Sequence, residues 1–324
     1  MGGALFGAAY LVKRIGFAVV TVAVATVLNF LLFRVLPGSA VTRISRVPNA
    51  SAELKHALEV EFGLDQPLTI QFWRYLVQLA HGNLGVSYSN RLPVTDNLIE
   101  AFANTLPMVA TGTVLAILIG SALGVVAAAR RGGWFDHLST NIAVLLYAFP
   151  TQFLGVMILI AFAGVLPSAG MADPFRMDDS LWGTVTDVGL HMIMPVATLT
   201  LTLFAENTLI VRSAMLETLG EDYILTARAK GVPRRRIIVS HALRNAMLPV
   251  ITMTALSLSS IVSGSILVEV IFSWPGIGRM LYEAVLQRDY PMLQGGFLAI
   301  TIAVTACNLI ADLTYFRLDP RVTA

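Results

Sequence analysis

The chain has 324 residues, of which 56% are hydrophobic and only 13% charged, about half the charged share of soluble domains. A soluble core of this length cannot absorb that much apolar surface, which excludes an ordinary water-soluble domain and points to an integral membrane protein. The net charge of +2 decides nothing, but the single cysteine, Cys307, excludes an intrachain disulfide and a cysteine-built metal site.

A bilayer core of about 30 Å needs roughly 20 apolar residues at about 1.5 Å rise each. Six segments meet that requirement: 15–36, 105–129, 138–166, 190–211, 247–272 and 293–311. The first follows Lys13-Arg14 and is longer than the apolar region of a signal peptide, so it is expected to remain as an uncleaved span. Pro150, Pro195 and Pro249 fall inside or at the edge of three spans, where neighbouring helices can satisfy the freed backbone groups. Orientation follows the cations. With both termini in the cytoplasm, thirteen of the 22 Lys and Arg lie inside: Lys13, Arg14, Arg130, Arg131, the seven from Arg212 to Arg244, Arg317 and Arg321. The expected fold is all-α, a polytopic membrane protein with six transmembrane helices and both termini cytoplasmic. It divides into residues 1–36 (N-terminus and first span), 37–104 (an extracytoplasmic insert) and 105–324 (a five-helix core containing the cytoplasmic loop 212–246).

The insert carries two amphipathic patterns. "SAELKHALEVEFG" places Ser51 as N-cap, Leu54, Leu58 and Phe62 on one face and Gly63 as the stop. "QPLTIQFWRYLVQLAHG" places Pro67 in a first turn and Ile70, Trp73 and Val77 on a face. A lid on the outer bundle and a docking platform for an outer partner both fit this pattern.

In the second span Gly112, Ala116, Gly120 and Gly124 recur every four residues, a stripe that lets another helix approach closely. The fifth span is rich in hydroxyls, among them Thr252, Ser259, Ser260 and Ser263. They either bond their own helix in close packing or wall a pathway for a polar solute. Glu206, near the end of the fourth span, is a costly carboxylate and a pathway candidate. Phosphate-loop, zinc-ligand and serine-nucleophile motifs are absent, and the five histidines are scattered. No catalytic residue, metal or nucleic-acid partner is expected. The two halves share no repeat, which argues against a repeat-built secondary transporter.

The densest cationic segment is "EDYILTARAKGVPRRRIIVSHALRN", Glu221–Asn245. A helix stops at Gly231, Lys230 suits its negative end, and Pro233 restarts a second helix. From Arg212 to Arg244, seven cations stand against three acids. A topology signal needs only cations on a loose loop. A stopped, turned and restarted helix is instead a stiff handle, through which an external grip could move the fourth and fifth spans.

This segment resembles the coupling loop of permease subunits of binding-protein-dependent ABC importers, whose consensus is E-A-A-x3-G-x9-I-x-L-P. Ala227, Gly231 and Leu243 match, while Leu225, Thr226, His241 and Arg244 depart from it. "TARAKG" and "HALRNAMLPVI" are similar to the oligopeptide/dipeptide/nickel branch, as are "FRVLPGS", "FGLDQPL", "HGNLGVSY", "VRSAMLETLGEDYI" and "FSWPGIGRMLYEAVLQRDYPMLQG". The position of "RVLPG" resembles the first permease of the pair. The resemblance implies a type I importer permease fold in the cell (inner or plasma) membrane. Its implied partners are a second homologous permease, two ATPase domains that hold ATP and Mg, an extracytoplasmic substrate-binding protein and membrane lipid. It implies no cofactor in this chain. It also implies ATPase contacts at Asp222, Tyr223, Ala227, Lys230, Gly231, Arg234 and Arg235, and an outer loop near the gate at Trp274, Pro275 and Gly276. The expected function is half of the pathway of an ATP-driven importer of di- or oligopeptides. A stand-alone secondary transporter or channel for a small polar solute is the alternative.

Overall fold

A computed structural model describes residues 2–35, 66–176, 180–247 and 265–318. All regular structure among them is helical, beside two isolated bridges, Val86–Pro93 and Ala163–Leu166. The helices are α1 (Gly2–Val35), α2 (Leu68–Ala80), α3 (Val94–Ala129), α4 (Trp134–Ala148), α5 (Thr151–Ala161), α6 (Leu181–Leu219), α7 (Asp222–Ala229), α8 (Arg234–Arg236), α9 (Ile277–Gln287) and α10 (Tyr290–Leu318). A π-helical turn, Ile237–Ala242, continues α8, and residues 243–247 and 265–271 are also helical.

The centre of the bundle is the parallel pair α3 and α6, and the small-residue stripe of α3 makes it possible. A methyl group at Gly112 would lie 2.9 Å from Leu199 Cβ, at Gly120 2.9 Å from the Phe204 carbonyl oxygen, and at Gly124 2.8 Å from that of Thr208. All three are inside van der Waals contact. Ala116, in the same stripe, is fully buried. The stripe therefore packs within the chain. On α6 the hydroxyls of Thr198, Thr202, Thr208 and Thr218 donate to the carbonyl one turn back at 2.7–3.0 Å. This satisfies them inside an apolar helix.

α1 and α10 pack antiparallel on the flank, with Asn29 Nδ2 donating to the Gln294 carbonyl at 2.8 Å and Arg14 paired with Asp312 at 3.0 Å. Four helices, α1, α3, α6 and α10, are long and apolar enough to cross a membrane, and α4 with α5 makes a fifth candidate. That last pair falls on the expected third span, 138–166, and bends by 104° at the break holding Pro150. Phe149 is extended (φ −81°, ψ 134°) because it precedes Pro150. Most of the expected fifth span, 247–272, lies outside the described residues, as does the helix expected at 51–63.

α2 forms where expected. Ile70, Trp73 and Val77 are exposed, whereas Gln71 is buried and Phe72 and Tyr75 pack on Phe30 of α1. Exposed apolar surface is the rule here: Leu28 is 61% exposed, Leu118 62% and Ile160 67%. Continuous patches of this kind are not tolerated in water, and the chain is a multi-pass membrane protein.

The packing makes a paired prediction. Gly120→Ala should destabilise the purified chain by about 1–3 kcal/mol through overpacking. Gly189→Ala, on an open face of α6, should be neutral or stabilising by up to about 1 kcal/mol. Thermal unfolding in detergent measures both.

Candidate functional site

Two clusters sit toward opposite ends of α3, one at Thr105 and one at Ala129, about 36 Å apart at about 1.5 Å per residue. At one end is the elbow expected from sequence. α7 closes in a Schellman arrangement: the Val232 N–H donates to Ala227 O at 3.1 Å and the Gly231 N–H to Arg228 O at 2.9 Å. Gly231 has φ +75°, and a Cβ there would meet nothing within 4 Å, so conformation rather than crowding demands glycine. Pro233 then caps α8.

The elbow is anchored by apolar residues. Ile224, Ile237 and Ala242 are buried against Ala128, Val211 and Met215. The π-turn puts Ile237 and Ala242, five residues apart, on the same buried side. The Asn245 side chain donates to the Tyr223 hydroxyl at 2.7 Å, tying α7 to the helix leaving the turn. Beside the elbow, Asp136 of α4 is 2% exposed and grips Arg212 of α6 through two bonds of 2.6 and 3.0 Å. It also accepts from the Gly132 N–H at 2.9 Å. The α3–α4 turn, α4 and α6 are thereby fixed together.

Of the residues the family resemblance assigned to the ATPase contact, Asp222, Tyr223, Lys230, Gly231 and Arg235 are exposed. Ala227 is partly buried against the elbow core. Arg234 donates to the Ala129 carbonyl at the end of α3. Glu206 is partly exposed on α6. Thr252, Ser259, Ser260 and Ser263 lie outside the described residues.

At the other end, Glu269 organises the loop Phe272–Gly278. Its side chain is completely buried. Oε1 accepts from the Thr105 hydroxyl at 2.8 Å, and Oε2 accepts from the Gly278 and Arg279 N–H groups at 2.7 and 3.1 Å. The Thr105 hydroxyl accepts in turn from the Ile277 N–H at 2.9 Å. Glu269 and Thr105 thus satisfy the orphan donors of the first turn of α9. Trp274 is also buried, with its indole N–H on the Asn104 carbonyl at 2.9 Å, while Asn104 Nδ2 donates to the Pro275 carbonyl at 3.0 Å. The glycines of "PGIG" allow this. A Cβ on Gly276 would lie 2.4 Å from Glu269 Cδ, and one on Gly278 2.4 Å from Ile266 Cα.

Next to this loop, Asp289 is 1% exposed and accepts from the Ser87 hydroxyl at 2.5 Å and the Ser89 N–H at 3.1 Å. The segments "HGNLGVSY" and "QRDYPM" therefore meet, around an open cavity of about 340 Å³. Glu269, Asp289 and Asp136 were not singled out in the sequence. A carboxylate inside the apolar segment 247–272 was the available signal for Glu269, but its partner Thr105 is 164 residues away.

This architecture of long apolar helices, an anchored elbow at one end and clamped loops at the other is that of a membrane permease. The chain belongs to the family described as binding-protein-dependent transport system inner membrane component. Residues 120–324 match that family's model, and residues 8–109 match that of the N-terminal part of the same membrane components. The chain is 37% identical over 332 residues to the dipeptide transport system permease protein DppB of Escherichia coli (strain K12), covering 97% of this chain and 98% of the relative. It is 36% identical over 316 residues to the glutathione transport system permease protein GsiC of the same strain, with the same coverage of 97% and 98%. It is a permease subunit of an ABC importer and not itself an enzyme.

The clamp predicts a graded response. Glu269→Ala strips a hydroxyl and two backbone donors of their acceptor, and leaving such groups buried costs about 1–3 kcal/mol each. Glu269→Gln, which keeps the shape and one acceptor oxygen, should lose clearly less. Equal losses in thermal unfolding would show that the carboxyl group is not the clamp.

Proposed function

We propose that this chain is one of two non-identical permease halves of an ATP-driven importer of short peptides. It crosses the cell membrane six times, with both termini and the elbow in the cytoplasm. The relatives of nearly equal identity carry dipeptide and glutathione in their names. Both are short peptides with a free amino group and at least one free carboxylate, and that is the proposed substrate class. A substrate-binding protein delivers the peptide at the loop end, where the cavity between Ser87, Asp289 and α9 lies. Trp274, Pro275 and Gly276 belong to the outer gate in this reading, and Glu206 with the fifth-span hydroxyls Thr252, Ser259, Ser260 and Ser263 lines the pathway.

The observation that carries the coupling role is the build of the elbow. A loop that only reports topology has no use for a Schellman stop, a buried Ile224–Ile237 anchor and a Tyr223–Asn245 brace. A partner ATPase grips the exposed residues Asp222, Tyr223, Lys230, Gly231 and Arg235, while Ala227 and Arg234 brace the elbow against α3 and α6. The grip needs stiffness, because a flexible loop would absorb the displacement.

The test uses the transporter reconstituted with its partner permease, ATPases and binding protein. Gly231→Pro forces φ to about −65° and deletes the N–H that closes α7. Arg235→Glu reverses charge on the exposed face. Both should insert normally and lower ATP-driven peptide uptake by about tenfold or more, equivalent to at least about 1.4 kcal/mol of coupling. Uptake and substrate-stimulated ATP hydrolysis at the level of the unaltered complex would refute the coupling role.

A further inference from the structure

Between the α3–α4 turn and the elbow lies a cleft of about 1000 Å³. Arg130, Arg131, Arg228 and Arg234 line it, and no acidic residue does. Among the described residues none of the four has a carboxylate partner, in contrast to Arg212, which Asp136 neutralises. Four uncompensated guanidinium groups around one opening form an anion site, and their planar donors suit phosphate oxygens.

The remaining accessible walls are apolar: Leu216, Leu219, Val232 and Ile238, all only partly buried. A soluble anion has no use for them, whereas a molecule with a charged head and a hydrocarbon tail does. Depth agrees. The cleft opens where the apolar run of α3 ends at Ala129, within about one 5.4 Å turn of it. The polar layer on each side of a bilayer is about 5–7 Å thick. Trp134, at the start of α4 beside this opening, is 73% exposed, a placement typical of tryptophan at headgroup level. Arg130 also lies over the Phe135 ring, 5.6 Å from its centroid.

We infer that this cleft binds an anionic phospholipid, its phosphate held among Arg130, Arg131, Arg228 and Arg234 and its chain along the apolar wall. The bound headgroup bridges the α3–α4 turn and the elbow. This role is separate from the ATPase contact and holds whichever solute is carried.

The experiment takes the full-length chain from phosphatidylcholine vesicles made with and without phosphatidylglycerol, and counts retained lipids by native mass spectrometry. Inorganic phosphate serves as a soluble competitor. The unaltered chain should retain phosphatidylglycerol several-fold over phosphatidylcholine, with millimolar phosphate leaving that preference intact. R130Q/R131Q/R228Q should lose the preference, and R130K/R131K/R228K should keep most of it, which separates charge from folding. R91Q/R288Q, at the opposite end, should change nothing. Undiminished retention in the glutamine variant, or an equal loss in R91Q/R288Q, would overturn the site. Displacement by phosphate would reassign it to a soluble anion. Retention by the isolated chain but not by the assembled transporter would assign the cleft to acidic side chains of a partner.

Discussion

The close approach of α3 and α6 is the contact on which the other features depend. Glycine at three positions of one helix brings its backbone against the other at distances no side chain would allow. Lipid tails are as apolar as leucine, so the helices are held by dispersion and fit rather than by exclusion from water. Wider spacing would forfeit those contacts along the whole length of the pair. The result is a two-helix beam running between the elbow and the loop Phe272–Gly278.

Each end of the beam is fastened to its neighbours by a buried carboxyl group. At the elbow end Asp136 joins the α3–α4 turn and α4 to α6 through Arg212 and Gly132. At the loop end Glu269 joins the first turn of α9 to Thr105 of α3. Buried carboxyl groups are costly unless fully bonded, and both are fully bonded here. The elbow and the loop Phe272–Gly278 are therefore joined by a continuous chain of packed and hydrogen-bonded contacts. The bend at Phe149–Pro150 sets α5 at a steep angle to α4, beside this route rather than on it.

Much of this was legible in the sequence wherever a single residue type answers a local geometric demand. Gly231 marked the turn because φ is positive there, and the four-residue stripe from Gly112 to Gly124 marked the tight helix pair. Pairings over long separations were not legible: Arg212 with Asp136, Glu269 with Thr105, and Ser87 with Asp289 come from segments with no shared local pattern. The surroundings of α2 were open in the sequence for a different reason. An apolar stripe suits a lid and a docking face alike, and only the folded chain shows Ile70, Trp73 and Val77 exposed while Gln71 is buried. Pro150 was visible, but neighbours can straighten or support a proline helix, so the 104° bend needed the folded chain to reveal it.

A rigid beam makes the elbow and the loop Phe272–Gly278 move as one body. The distance between spin labels at Lys230→Cys on the elbow and Leu286→Cys on the exposed side of α9, in a Cys307→Ser background within the assembled transporter, measures this. One narrow distance population, unchanged between the nucleotide-free and ATP-trapped states, is expected. A second population, or a shift of several ångström on nucleotide binding, would contradict it.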